Sequence, residues 1–389
     1  MRISVTGLGI VSAIGMDLEA NHSALLNLTS GISTIELLKG LEQDFLGGEI
    51  KLTNQQLAEI AFGEKQNKLL PRSLLLSLIA AKQAWGKNTT NPKIKTAIIG
   101  ATTIGGMDFT EEYFKTKQSI HSLEHHPCGI ITDYLADYFH LEGCKTTIST
   151  ACSSAANAII LGSRMIKHGL ADRVLVGGGD ALTKFTINGF NSLRIYDTDF
   201  CKPFDDNRNG LNLGEAAAYI VLENDNSLSI TKNQKIATVL GWGNANDAYH
   251  QTASSPNGEG AQKAMQLALV EAKLSPSKID YVNAHGTATS NNDLSEGRAI
   301  ESIFGESQLF SSTKGYTGHT LAAAGIVEFI YSILSIETNT LFPLLNYNEK
   351  MSELKIRPIS ELKTDVVIKR VLSNSFGFGG NNTTLIIGE

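Results

Sequence analysis

Residues 144–166 read CKTTISTACSSAANAIILGSRMI, a short β-branched run that breaks at small residues and resumes as an alanine-rich apolar helix. The next apolar run, RVLVGGG (173–179), has the length of a strand and ends on glycines, where chains turn. Residues 309–334, LFSSTKGYTGHTLAAAGIVEFIYSIL, repeat that order, and VVIKRVLSNSFGFGG (366–380) with TTLIIG (383–388) supply the strands that follow. A spacing this long is no solenoid. It predicts two related α/β halves, 1–235 and 236–389, meeting around 225–240 through the polar stretch ENDNSLSITKNQK (223–235). Helices that are apolar almost all round belong between layers, so the expected architecture is layered with helices in the middle.

Working outward, IKTAIIGAT (94–102) and KIDYVNAHG (278–286) are further short apolar runs alternating with helical stretches, the pattern of α/β proteins with well-buried sheets. The 389 residues are 42% hydrophobic and 19% charged, which excludes a disordered chain. A net charge of −6, with no block of five or more like charges, argues against generic nucleic-acid binding. No apolar run is expected to reach the roughly 18 residues of a membrane span. Residues 3–15, β-branched and broken by three glycines, read as a buried strand and turn rather than a signal peptide. Cys128, Cys144, Cys152 and Cys201 show no CxxC spacing, so neither a disulfide framework nor a zinc site is expected, and a reducing cytoplasm is the natural setting.

Cys152 sits where the β-branched run hands over to the alanine-rich helix. Helix N-termini expose free N–H groups and a partial positive charge. An unperturbed thiol is only about 3% thiolate at neutral pH, and a helix start can lower its pKa by a unit or more. That marks Cys152 as the candidate nucleophile, while Cys144 and Cys201 read as small core residues. His285 follows an apolar strand and precedes a polar turn; His319 stands at the start of the second buried helix. A lone histidine is more often structural, but two histidines and a cysteine, each at a strand exit beside glycine, point to one site. Metal binding is the competing reading, and neither an HxxxH spacing nor clustered carboxylates supports it.

TACSSA (150–155), NAHGTAT (283–289), STKGYTGHTLAAAG (312–325) and NSFGFGGNN (374–382) closely resemble motifs of β-ketoacyl-acyl carrier protein synthases. These are, in order, the nucleophile, the first histidine, the lysine with the second histidine, and the C-terminal glycine loop. VTGLGIVSAIG (5–15), PFDDNRNG (203–210), GEAAA (214–218) and DAYHQT (247–252) extend the resemblance over nearly the whole chain. It implies a thiolase-like α/β fold, two duplicated halves in a five-layer αβαβα arrangement, and an acyltransferase that needs no cofactor or metal. Cys152 would carry the acyl chain as a thioester, with the N–H groups of Cys152 and Phe378 as the oxyanion hole. His285 and His319 would hold the malonyl thioester carbonyl while carbon dioxide leaves. Lys314 would pair with Glu296 in a buried ion pair that orients the histidines. Phe376, Gly377, Phe378 and Gly379 would form a mobile gate, since glycines permit such backbone motion.

The partner implied is acyl carrier protein, in a homodimer or a heterodimer with a paralogous ketosynthase. That carrier is acidic, so Lys65, Lys68 and Arg72, at helical spacing, and Lys202 are the expected basic docking residues. A silent chain-length-factor-like subunit would lack the cysteine, an initiating synthase typically has asparagine in place of His319, and a thiolase needs a second cysteine after Cys201. Elongation therefore fits best. Ala155, GEAAA, Ser290 and Asn381 depart from the common pattern without touching the catalytic positions. They leave the acyl group open between ordinary fatty acids and specialised polyene or polyketide chains.

Overall fold

The computed structural model describes residues 2–63, 69–116 and 120–389. Five strands of the first half, β1 (Ser4–Ser12), β2 (Thr96–Ala101), β3 (Lys145–Ile148), β4 (Arg173–Asp180) and β5 (Ala216–Glu223), lie in the order β1-β5-β4-β2-β3. Five of the second half, β6 (Ala237–Asn246), β7 (Tyr281–Asn283), β8 (Phe310–Ser311), β9 (Arg370–Gly377) and β10 (Asn381–Gly388), lie in the order β6-β10-β9-β7-β8. Adding five to each label turns the first order into the second. Strand directions repeat as well: β2 runs parallel to β3 and β4, as β7 does to β8 and β9, while β5 and β10 are antiparallel to both their neighbours. The two sheets meet where β1 pairs with β6, at Ser4–Thr238 and Val5–Ala237. The polar stretch expected as the seam holds a short helix, Asp225–Thr231, capped by the Asn224 side chain.

Six helices position the site: α1 (Arg72–Trp85), α2 (Ser154–Lys167), α3 (Lys184–Ser192), α4 (Glu259–Ala272), α5 (Ser290–Phe304) and α6 (Ala324–Thr338). The alanine-rich α2 and the aliphatic α6 pack on each other between the sheets, α1 covers the outer face of the first sheet and α4 that of the second. The result is the five-layer αβαβα arrangement. Every residue of β4 and β5 is buried, as expected of strands covered on both faces. The outer layers sit close because the strands beneath them lack side chains. A Cβ on Gly9 of β1 would lie 2.0 Å from the Ala80 carbonyl oxygen of α1, and one on Gly243 of β6 would lie 2.0 Å from that of Ala264 in α4.

One expectation fails here. Leu321–Thr338, which is α6 with the turn before it, is an 18-residue stretch of mean hydropathy 1.5, as long and apolar as a membrane span. It is 89% buried inside the protein and carries Glu328, so its hydrophobicity serves a core helix sandwiched between two sheets.

Candidate active site

The chain between β3 and α2 is a tight elbow. Ala151 takes φ +51, a left-handed conformation that an alanine adopts only when neighbours hold it there. Those neighbours are hydroxyls: Ser154 Oγ accepts the Thr150 N–H at 2.8 Å and donates to the Ala151 carbonyl at 2.5 Å, and Ser153 Oγ donates to the Thr150 carbonyl at 2.8 Å. The elbow raises Cys152 at the entrance to α2, where its sulfur receives the N–H groups of Phe378 and of Cys152 itself. Gly377 makes that approach possible, since a Cβ there would lie 2.9 Å from the Thr150 oxygen and 3.1 Å from the Cys152 nitrogen. The helix start does not acidify the thiol as the sequence suggested. Burial dominates and pushes Cys152 up to about 11, against the opposing pull of Lys314 and the two N–H groups.

His285 follows β7, and α5 holds the loop that carries it. Glu296 accepts the N–H groups of His285 at 2.8 Å and Gly286 at 2.9 Å, and Asp293, one turn earlier, accepts those of Thr287 at 2.9 Å and Phe204 at 2.7 Å. Lys314 begins the turn after β8. Its ammonium donates to Glu328, to the His285 carbonyl at 2.5 Å and to His285 Nδ1 at 3.2 Å. The expected pairing of Lys314 with Glu296 is therefore wrong: the carboxylate that meets Lys314 is Glu328, one helical face deep in α6. Glu296 instead spends both oxygens on backbone N–H groups and on Asn374 at 3.0 Å. Glu328 is one of two carboxylates in the largely apolar α6, the other being Glu337 in its last turn.

A neutral imidazole has one donor and one acceptor nitrogen. His319 Nδ1 accepts the Leu321 N–H at 3.0 Å, and His285 Nδ1 faces an ammonium that can only donate. Both rings therefore carry their proton on Nε2. Burial, then the Lys314 charge, hold both histidines well below their ordinary pKa, so they are neutral donors at neutral pH. The rings stand edge to face with centroids 5.4 Å apart, and the Cys152 sulfur and a nitrogen of each ring all lie within 4.8 Å of one another. Such a trio could also ligate a cation, but the Lys314 ammonium already projects positive charge onto both rings.

Two spaces open from Cys152. One is a mixed mouth, where Thr252, Ser254, Thr287 and Asn291 stand beside Ile195 and Leu211; the other is an apolar cavity of about 340 Å³ lined by Ile104, Phe185, Gly189, Phe190, Leu193 and Leu321. Phe190 and Phe378 border both, with rings stacked 5.6 Å apart. Phe376 packs beside His285, and Gly379, at φ +80, donates its N–H to the Gln251 carbonyl.

The docking residues fare differently. Lys65 and Lys68 lie outside the described residues. Arg72 is no docking residue: it is buried, and its guanidinium is used up on Glu215, the Ile50 and Leu52 carbonyls and Asn54. Lys202 is partly exposed and lies 3.8 Å from Asp199.

Comparison with known proteins gives this geometry its context. The profile of the beta-ketoacyl synthase N-terminal domain matches residues 1–227 and that of the C-terminal domain residues 236–348. The chain belongs to the β-ketoacyl synthase family. A 3-oxoacyl-[acyl-carrier-protein] synthase 2 of Staphylococcus aureus is 31% identical, over 99% of this chain and 98% of the relative. Among solved structures, a chain of the ishigamide ketosynthase/chain length factor superposes with TM-score 0.90 at 27% identity, covering 100% of this chain and 98% of that one. The ketosynthase ApeO in complex with its chain length factor ApeC, from Xenorhabdus doucetiae, gives a match with TM-score 0.86 at 30% identity, again over 100% and 98%. This synthase has the thiolase-like fold and an intact, buried Cys-His-His set, and it is a condensing acyltransferase.

Proposed function

We propose that Cys152, His285 and His319 carry out decarboxylative condensation on acyl carrier protein thioesters, with Lys314 and Glu328 fixing the rings. The observation that carries this reading is the sulfur and the two rings converging within 4.8 Å beside an apolar cavity. Cys152 attacks the carrier-bound acyl thioester, its S–C bond forming as the carrier's thiol leaves with the proton. The N–H groups of Cys152 and Phe378 stabilise the oxyanion, each such donor being worth about 3 kcal/mol. A malonyl thioester then enters from the mouth that holds Thr252 and Thr287, with its carbonyl oxygen between the two Nε2–H donors. The bond to its carboxylate breaks, carbon dioxide departs, and the electron pair is held as an enolate. The enolate carbon attacks the acyl carbonyl, the C–S bond breaks, and the Cys152 thiolate takes up one proton to close the cycle.

The acyl chain fits the apolar cavity, and Phe378, stacked on Phe190 at its border, serves as the gate with Phe376, Gly377 and Gly379. The chain divides into halves 1–235 and 236–389, a reading supported by the repeated strand order. Phe185 and Leu193, lining the cavity, are 62% and 46% exposed, which supports a second synthase-fold subunit over that face, identical or paralogous. Four free cysteines favour the cytoplasm. Incubation with acyl carrier protein thioesters tests the central claim: intact-protein mass should rise by one acyl group on the wild type and not on Cys152→Ala. An adduct that persists on the alanine variant would sink the assignment.

A further inference from the structure

Asp180, the last residue of β4, is fully buried, and the condensation steps give it no task. Four donors converge on its carboxylate: the Thr102 hydroxyl, the Thr103 hydroxyl at 2.6 Å, the Thr103 N–H at 3.1 Å from each oxygen, and the Ala322 N–H at 3.0 Å. Among the described residues no cation forms an ion pair with it. Three of the donors come from the chain just beyond β2, in the same half. The fourth comes from the other half, inside the turn that follows His319.

That turn is under strain. Leu321 takes φ +53, which a residue with a side chain keeps only when its surroundings hold it, and in that conformation its N–H points back at His319 Nδ1, 3.0 Å away. The next N–H along, that of Ala322, is the one Asp180 accepts.

We propose that Asp180 is a positioning residue: by accepting the Ala322 N–H it holds the 319–322 turn in the shape that fixes the His319 tautomer. This rests on the role given to His319 in condensation.

Two variants of the full chain test it, with carbon dioxide release from a malonyl thioester and acylation of Cys152 by a simple acyl thioester as readouts. Asp180→Ala removes the acceptor, so carbon dioxide release should fall by about tenfold or more as the His319 donor loses its aim, while acylation, which His319 does not serve, should stay within about threefold of wild type. Asp180→Asn keeps one oxygen that can accept the Ala322 N–H and puts an NH2 donor in place of the other, so release should recover in part, to above that of Asp180→Ala. Wild-type release by Asp180→Ala, equal losses in both half-reactions, or an asparagine variant no better than alanine at equal thermal stability would overturn the positioning role. If Asp180→Ala does not fold, Asp180→Asn carries the test: release reduced more than acylation supports the role, and equal losses overturn it. A wild-type enzyme that acylates Cys152 but releases no carbon dioxide would instead sink the condensation reading.

Discussion

The crossings from β3 into α2 and from β8 into α6 occupy equivalent places in the two halves, yet they are built from opposite materials. The first holds its strained elbow with serine hydroxyls and backbone. The second buries a full ion pair, Lys314 with Glu328, each 3% exposed, and aims it at an imidazole. Duplication thus repeated the scaffold and divided the chemistry. One crossing offers a neutral thiol; the other offers a fixed charge that adds to burial in keeping two rings neutral and sets the tautomer of His285. Neither half can condense anything alone, because the Cys152 sulfur and the His319 ring come from different halves and meet only when both sheets are packed.

The sharpest way to break this contrast is to strip each crossing of its support. Glu328→Gln leaves the Lys314 ammonium buried without its counter-charge and should cost about 3–5 kcal/mol of stability. Ser154→Ala removes neutral hydrogen bonds in the first crossing and should cost about 1–2 kcal/mol. Equilibrium denaturation measures both, and a glutamine variant no less stable than the alanine one would show that the second crossing does not depend on its ion pair.

The division of chemistry has a kinetic counterpart. His319→Ala should slow carbon dioxide release from a malonyl thioester by about 10²–10³-fold, the usual effect of deleting one preorganised donor to an oxyanion. Acylation of Cys152 by a simple acyl thioester uses the Cys152 and Phe378 N–H groups instead and should change little. Equal losses in both half-reactions would mean that the two crossings are not separable in function.

Much of this was legible before any coordinates. β-branched runs leading into small-residue helices gave the two crossings, their order gave the duplication, and cysteine and histidines at strand exits gave the site. What could not be read was which buried partners meet across the fold. Glu296 and Glu328 are both carboxylates on helices near Lys314, and local sequence does not tell which one α5 turns toward its own loop and which one α6 turns toward the lysine. Arg72 looked like a surface cation because its spacing from Lys65 and Lys68 is helical, but it pairs with Glu215, distant in sequence and brought alongside by β5. The thiol was misjudged for a related reason: the helix start is visible in the sequence, whereas the depth at which α2 begins, and so the desolvation that outweighs it, is not.

The smallest effect tests the scaffold itself. Gly9 and Gly243 hold equivalent places in β1 and β6, and an added Cβ would meet the same groups in each: a helix carbonyl at 2.0 Å, then the nitrogen four residues on, that of Ala84 at 2.6 Å or Ala268 at 2.7 Å. Backbone of a packed helix cannot swing aside as a side chain could, so either alanine must push its whole helix off the sheet. Gly9→Ala and Gly243→Ala should therefore each destabilise by about 1–3 kcal/mol, the range of overpacked cores, and by amounts matched to within about 0.5 kcal/mol. Denaturant midpoints with unchanged slopes would read this directly. A large loss at one position and none at the other would mean that the outer layers are held differently in the two halves. The symmetry would then lie in strand order alone and not in how the helices are seated.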